Sequence, residues 1–308
     1  MRRKNRGKQT LKKKMLSILL LSAMSSIFAV VIVSYMTIRM IQNDGIKESM
    51  QIYLEQITRE MDSDYYDMIG IVNQMSPDGL IGSVTERYLS SNDNYDRYLE
   101  QKFLREELIK LGYVNTKLLG ITYYDPKEKK ELIGNFNVRV LDPSYQTISK
   151  VVVGADNTIQ AMHDSYLGIK ETPVVSVMRR VSFGNQKMLD IYAEMEPDMS
   201  VSDQLNKEKY PYTYMEMDEN GIVQYSNNPV IVQGQKILSE LPKKEGHAVT
   251  NQEGYKIMVY RSTIGYANAI ALPENIYQKE MNMWRLSWWL SFWQHSVFFP
   301  VLLFTCTG

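Results

Sequence analysis

The residue types that most often carry catalysis are few in this chain, and none is arranged for it. The 308 residues include three histidines, His163, His247 and His295, and one cysteine, Cys306. A single cysteine excludes a disulfide framework, a structural cysteine–zinc site and an iron–sulfur cluster. No Ser-His-Asp spacing, metal-ligand cluster or phosphate-binding loop appears, so no enzyme and no cofactor is expected. The histidines read as surface or packing residues; His247 opens a strand. The acidic loop Asp93-Asn-Tyr-Asp96 lacks the ligand number and the glycine of a calcium loop. It reads as a helix cap instead. What remains for chemistry is recognition, carried by 21 tyrosines and by 35 acidic and 35 basic side chains.

Those charges are separated along the chain. Residues 1–14 hold eight basic residues and no acidic one. Met15 to Ile38 then carries no charge and is rich in Leu, Ile, Val, Met and Ala. About 20 apolar residues cross a bilayer as a helix. Lys and Arg mark the cytoplasmic flank, which places the N-terminus inside and residues 40–284 outside. A cleavable signal peptide ending near Ala23-Met-Ser25 is the rival reading, but the apolar run continues well past that point. Between Met40 and Trp284 the chain holds 25 basic and 35 acidic residues, a net of −10. Beside a membrane span, a basic tail sets topology; nucleic acid is not expected as a partner. Residues 286–306 form a second uncharged run, atypical because Trp288, Trp289 and Trp293 gather at its start with Trp284 just before it. It reads as a second crossing, with a frameshift, a premature stop or a fragment boundary as explanations of its composition and a genuine short protein with two spans as the alternative.

The elements between the two spans follow from periodicity. Ile46, Met50, Leu54, Ile57, Met61, Tyr65, Ile69, Val72 and Met75 recur every three or four residues, a single helical stripe. That helix ends at Ser76-Pro77-Asp78-Gly79. A second helix spans about Asn94–Leu111, with Tyr95, Leu99, Phe103, Leu104 and Leu108 as its stripe, Ser91, Asn92 or Asp93 as its cap and Gly112 at its end. Hairpins follow: 117–124 with 131–133, 172–183 with 187–194, 211–217 with 222–226, and 255–262 with 266–272. Residues 199–209 read as a short helix and connector, and Glu274–Met283 as a helix. The fold class is α+β, two antiparallel-sheet modules on a long helix continuous with a transmembrane helix.

This arrangement resembles the double Cache (PAS-like) sensor region of bacterial membrane receptors, with the YesM-like sensor histidine kinases of Gram-positive bacteria as the nearest group. The resemblance rests on the anchor running into a long helix, on TPVVSVMRRVSF with its return KMLDIYAEM, on YTYMEMDENGIVQYSN, and on the close YRSTIGYANAIALPENIYQKEM. It implies a basic cytoplasmic tail (1–14), a first span (15–38), a spine helix (39–76), a membrane-distal module (77–198), a membrane-proximal module (199–275), an exit helix (276–285) and a second span (286–306). It further implies extracellular sensing in the cell membrane of a Gram-positive bacterium, with a small-molecule ligand or a solute-binding protein as partner and a homodimer along the spine stripe. The family continues into a HAMP linker and a kinase, which this chain lacks, so the region reads as truncated after the second span. His163-Asp164 matches only the start of a phosphoacceptor box, and Asp218-Glu-Asn-Gly221 is a hairpin turn, not a nucleotide box. A chemoreceptor or diguanylate cyclase sensor region, or a free-standing solute-binding accessory protein, are the alternatives.

In that family the ligand lies in the distal module, which makes Tyr123, Tyr124, Arg179, Tyr192 and Glu194 the candidates for contacting it. Tyrosines would stack on or hydrogen-bond to a ligand; Arg or Glu would pair with its charge. Alternation puts Tyr192 and Glu194 on one sheet face and Tyr123 and Tyr124 on opposite faces. The Arg-Trp-Tyr signature of amino-acid-binding Cache domains is not visible.

Overall fold

The computed structural model describes residues 3–135, 150–153, 157–168, 173–184, 186–198, 212–218, 220–228, 231, 234–238, 246–252 and 254–273. The connector at 199–209, the exit helix and the second span fall outside these residues. Helix α1 runs from Arg3 to Met75. It holds a stretch long and apolar enough to cross a membrane. There Leu19, Leu21, Phe28 and Val33 are all exposed, the surface a lipid-facing helix presents. Residues 51–280 form a compact unit of their own, separate from residues 3–50 of the helix.

Within that unit the stripe of α1 is core. Leu54, Ile57, Met61, Tyr65, Val72 and Met75 are at most 1% exposed. Met68 is buried and Ile69 only half-buried, a rotation of the stripe by one position near the helix end. From Met50 onward the side chains of this stripe, Ile69 excepted, are buried within the chain itself. The opposite face carries exposed Ile52 and Tyr66.

Helix α2, Leu80–Ser90, was not expected. The breaker at 76–79 is a tight corner between two helices. Its glycines make the corner possible, since a Cβ on Gly82 would lie 1.7 Å from the Ser76 carbonyl oxygen. Helix α3 spans Asn94–Val114, and Asp93 caps it by accepting from the amides of Tyr95 and Asp96. The cap reading of the acidic loop therefore holds, although the helix passes Gly112 before ending. Its expected stripe is corrected. Leu104 and Leu108 are buried, but Tyr95 (69%), Leu99 (44%) and Phe103 (45%) are exposed. Leu104 and Leu108, four residues apart, are the buried side chains of this helix.

Two antiparallel sheets complete the unit. The first orders β2-β1-β6-β5-β4-β3, from strands β1 (Leu118–Asp125), β2 (Lys130–Gly134), β3 (Lys150–Val153), β4 (Asn157–His163), β5 (Val174–Phe183) and β6 (Lys187–Met195). The second orders β8-β7-β11-β10-β9, from β7 (Thr213–Met217), β8 (Val223–Ser226), β9 (Gly246–Gln252), β10 (Tyr255–Arg261) and β11 (Ala267–Pro273). In both, the first hairpin sits beside the last strand, so the smaller sheet repeats the connectivity of the larger. The expected α+β architecture, two sheets on a long helix, is the one found. The expected hairpins all form. The additions are β3 and β4, whose polar Asn157, Gln160 and His163 hid an otherwise ordinary strand.

One face of the second sheet packs Met215, Val223, Val259 and Ala269 with Ile231 and Ile237 into an apolar core. Its other face meets α1. There Asn268 donates to Thr58 Oγ1 (3.0 Å), and Ser262, Thr263 and Tyr266 all donate to the Asp62 carboxylate. A spine helix held by buried polar contacts keeps one register, because each contact is lost if the helix slides.

Candidate functional site

Cross-strand pairs share a sheet face, and this sorts the expected site residues. Thr122, Tyr192, Met178 and Thr158 lie opposite one another across β1, β6, β5 and β4. Glu194, Ser176 and Gln160 form the next row on that face. Tyr124 pairs with Asp190 on the same face. Tyr123 and Arg179 point the other way, toward the helices. The Tyr123 hydroxyl donates to the Met75 carbonyl at 2.5 Å, and its ring meets Phe183 edge-on. Arg179 donates to Asn73 Oδ1 at 2.9 Å. Tyr124, Tyr192 and Glu194 are thus gathered on one face, while Tyr123 and Arg179 tie the sheet to α1.

Glu194 is the centre of the gathered set. It is fully buried. Its carboxylate accepts from Ser165 Oγ (2.5 Å), the amide of Tyr166 (2.7 Å), the amide of Leu167 (3.2 Å) and the Tyr192 hydroxyl (2.9 Å). Burial pushes its carboxyl above the ordinary range, and these donors pull it back only partly. Three of the donors come from the turn that follows β4, which closes over the carboxylate. The same turn brings Tyr166 and Leu167 against Tyr124, Met178 and Tyr192 in a small apolar cluster. An aromatic floor with one buried acceptor can hold a small molecule bearing an ammonium or hydroxyl group, if that group takes the place of the turn's donors.

His163 borders this cluster. Its ring stacks on Tyr166 with centroids 4.4 Å apart. Nδ1 faces the Asp164 carbonyl at 2.7 Å, which can only accept, so the proton sits on Nδ1. Nε2 lies 2.7 Å from Ser176 Oγ, whose single hydroxyl proton is contested between Nε2 and Gln160 Oε1 at 2.9 Å. Burial pushes the imidazole down to about 4 and keeps it neutral. His163 is accordingly part of a buried polar row with Ser176 and Gln160. Nothing in the sequence flagged Gln160, Ser165 or Ser176. Two of the Glu194 donors are backbone amides, which no side-chain pattern can reveal. The usable signal was the polar run His163-Asp-Ser-Tyr166 at a strand end.

Across the two central strands, Arg180 of β5 holds fully buried Asp190 of β6 with two bonds, 2.6 and 2.9 Å. A shallow cleft of about 370 Å³ lies between α3 and β2, lined by Tyr98, Lys102, Arg105 and Glu131 among others. Among the described residues, no group of His, Cys, Asp and Glu is placed to hold a metal ion.

No family model matches the chain, and no curated protein matches it. Solved structures do. The ligand-binding domain of Mlp24 with asparagine is 12% identical, with 79% of this chain and 98% of that one covered and a TM-score of 0.48. The sensor domain of the V. cholerae histidine kinase DctB is 13% identical, with 75% and 98% covered and a TM-score of 0.43. The ligand-binding domain of the Pseudomonas fluorescens chemoreceptor CtaA in complex with L-serine is 7% identical, with 77% and 99% covered and a TM-score of 0.41. At such scores no residue of those proteins is matched to a residue here.

Proposed function

We propose that the chain is the extracellular sensory and transmembrane signalling region of a two-component sensor histidine kinase of the YesM-like type. Residues 77–198 are its ligand-binding distal module and residues 199–275 its proximal one. Tyr124, Tyr192 and Glu194 contact a small-molecule solute, while Tyr123 and Arg179 report its presence to the spine. The N-terminus lies in the cytoplasm of the cell and residues 40–284 outside. A homodimer forms through the face of the spine that carries Ile52 and Tyr66.

The observation that supports this reading is α1 itself. One helix is uncharged over Met15–Ile38 and, further on, exchanges buried hydrogen bonds with both sheets, accepting at Met75 and Thr58 and donating from Tyr65. A change in either sheet therefore acts on a helix that also enters the membrane. Topology tests it directly. With Cys306→Ser as background, Tyr113→Cys and Lys8→Cys are introduced singly and intact cells are treated with a membrane-impermeant maleimide. Tyr113 is 81% exposed, so Tyr113→Cys reacts in intact cells and Lys8→Cys only after lysis. The reverse pattern would rule out an extracellular sensor.

A further inference from the structure

Where the two sheets come closest, β4 of the first runs beside β7 and β8 of the second, and α1 covers the junction. Glu216 of β7 sits there, fully buried. Its Oε2 accepts the amide of Met162 at 2.7 Å. That amide is available because the β4–β5 register shifts between Gln160 and His163, a bulge that takes one residue out of the ladder. Its Oε1 lies 3.3 Å from the Tyr65 hydroxyl of α1, and that hydroxyl also lies 2.8 Å from the Gln160 carbonyl. One carboxyl therefore touches the spine and the first sheet from a strand of the second.

A tyrosine hydroxyl has one proton. When it is given to the Gln160 carbonyl at the shorter distance, the tyrosine oxygen can face Glu216 favourably only as an acceptor, so Glu216 must carry a proton. The result is a chain, Glu216 O–H to Tyr65 O–H to the Gln160 carbonyl. When Glu216 is ionised, the charge draws the tyrosine proton to itself, because charge-assisted bonds are the stronger ones. The Gln160 carbonyl then loses this partner inside the protein, which weakens the hold on β4.

We propose that Glu216 is a proton-operated latch: protonated, it leaves Tyr65 of the spine helix bonded directly to β4 of the distal module at the Gln160 carbonyl; ionised, it takes the Tyr65 proton for itself, and β4 keeps only its Met162 amide bond to Glu216. The consequence is a sensor whose coupling between modules is set by external acidity. The latch lies beyond the ligand reading above and needs no ligand to operate. The surroundings favour it. The titratable groups around the junction are Tyr65 and Asp62 of α1, Tyr214 of β7, Tyr225 of β8 and Tyr266 at the start of β11, with Tyr260 of β10 in the same cross-strand row. Among the described residues no basic side chain acts on Glu216, and burial raises its carboxyl to about 7. The latch also adjoins the candidate site, since the side chain of the same Gln160 accepts from Ser176 in the row of Glu194.

The test uses the full chain in nanodiscs. Infrared difference spectra between pH 5 and pH 8 should contain a protonated-carboxyl band lost with a midpoint near 7, and Glu216→Gln should remove that band. Amide exchange of residues 157–163, corrected for the intrinsic pH effect, should quicken several-fold at the higher pH in the wild type and not in Glu216→Gln. Tyr65→Phe removes the donor to the ionised form and should move the band's midpoint upward. A band that survives Glu216→Gln, an unmoved midpoint in Tyr65→Phe, or β4 exchange that ignores pH in the wild type would each overturn the latch.

Discussion

Two buried titratable residues set opposite pH responses. Glu216 has its carboxyl raised from 4.5 to about 7 by burial, so the folded state binds the proton more tightly than the unfolded chain. Its contribution is full below about 4.5 and is lost as pH rises through about 7. His163 is lowered from 6.5 to about 4 by burial. Its contribution is full above about 6.5 and is lost as pH falls through about 4. Each is worth on the order of 3 kcal/mol across its window. The two windows overlap with opposite sign, so part of the pH dependence of the wild type cancels. Relative to the wild type, Glu216→Gln should lose melting temperature between pH 7 and pH 5, and His163→Gln should gain it over the same interval. Calorimetry of the full chain at these two values checks both signs. At this scale the sequence was partly legible. Strand alternation alone separated Tyr123 from Tyr124 and placed Tyr192 with Glu194. It did not place Arg179, because which face of a middle strand meets the helix depends on partners distant in the chain. Glu216 read as one more strand carboxylate, since its burial comes from β4 and α1 together.

Among the elements, the two helical stripes had contrasting fates. That of α1 was read from its period and is buried nearly throughout, because both sheets lie against it. That of α3 obeyed the same period, yet three of its five residues face solvent. Periodicity states that a helix has an apolar face; it does not state how wide a surface is offered to cover that face. Met61 is 1% exposed and Phe103 45%. Met61→Ala should therefore cost about 2–5 kcal/mol of stability, while Phe103→Ala should stay within about 0.5 kcal/mol. Denaturant titration of both variants would distinguish a buried stripe from an exposed one. The hairpins were legible because Gly and Asn mark their turns: Gly221 and Gly265 have φ of +74° and +108°, values that a side chain disfavours. Helix α2 was missed for a related reason. Pro77 and Gly79 signal an end, and nothing in such a pair announces that a new helix begins at once.

For the molecule as a whole, the zero net charge at the level of composition resolves into a basic N-terminal tail, an uncharged apolar stretch and an acidic segment. The structure adds that one helix, α1, holds the apolar stretch and, from residue 51 on, packs against two sheets of like connectivity. The central claim is that a solute bound on the Glu194 face of the first sheet is what this assembly senses. The most direct measurement is the melting temperature of the full chain in nanodiscs against L-amino acids, four-carbon dicarboxylates and monosaccharides at millimolar concentration, for the wild type, Glu194→Gln and Tyr192→Phe. A rise with one of these classes in the wild type, absent in both variants while their ligand-free unfolding stays cooperative, is the predicted result. No rise with any class, or an equal rise in Glu194→Gln, would contradict it.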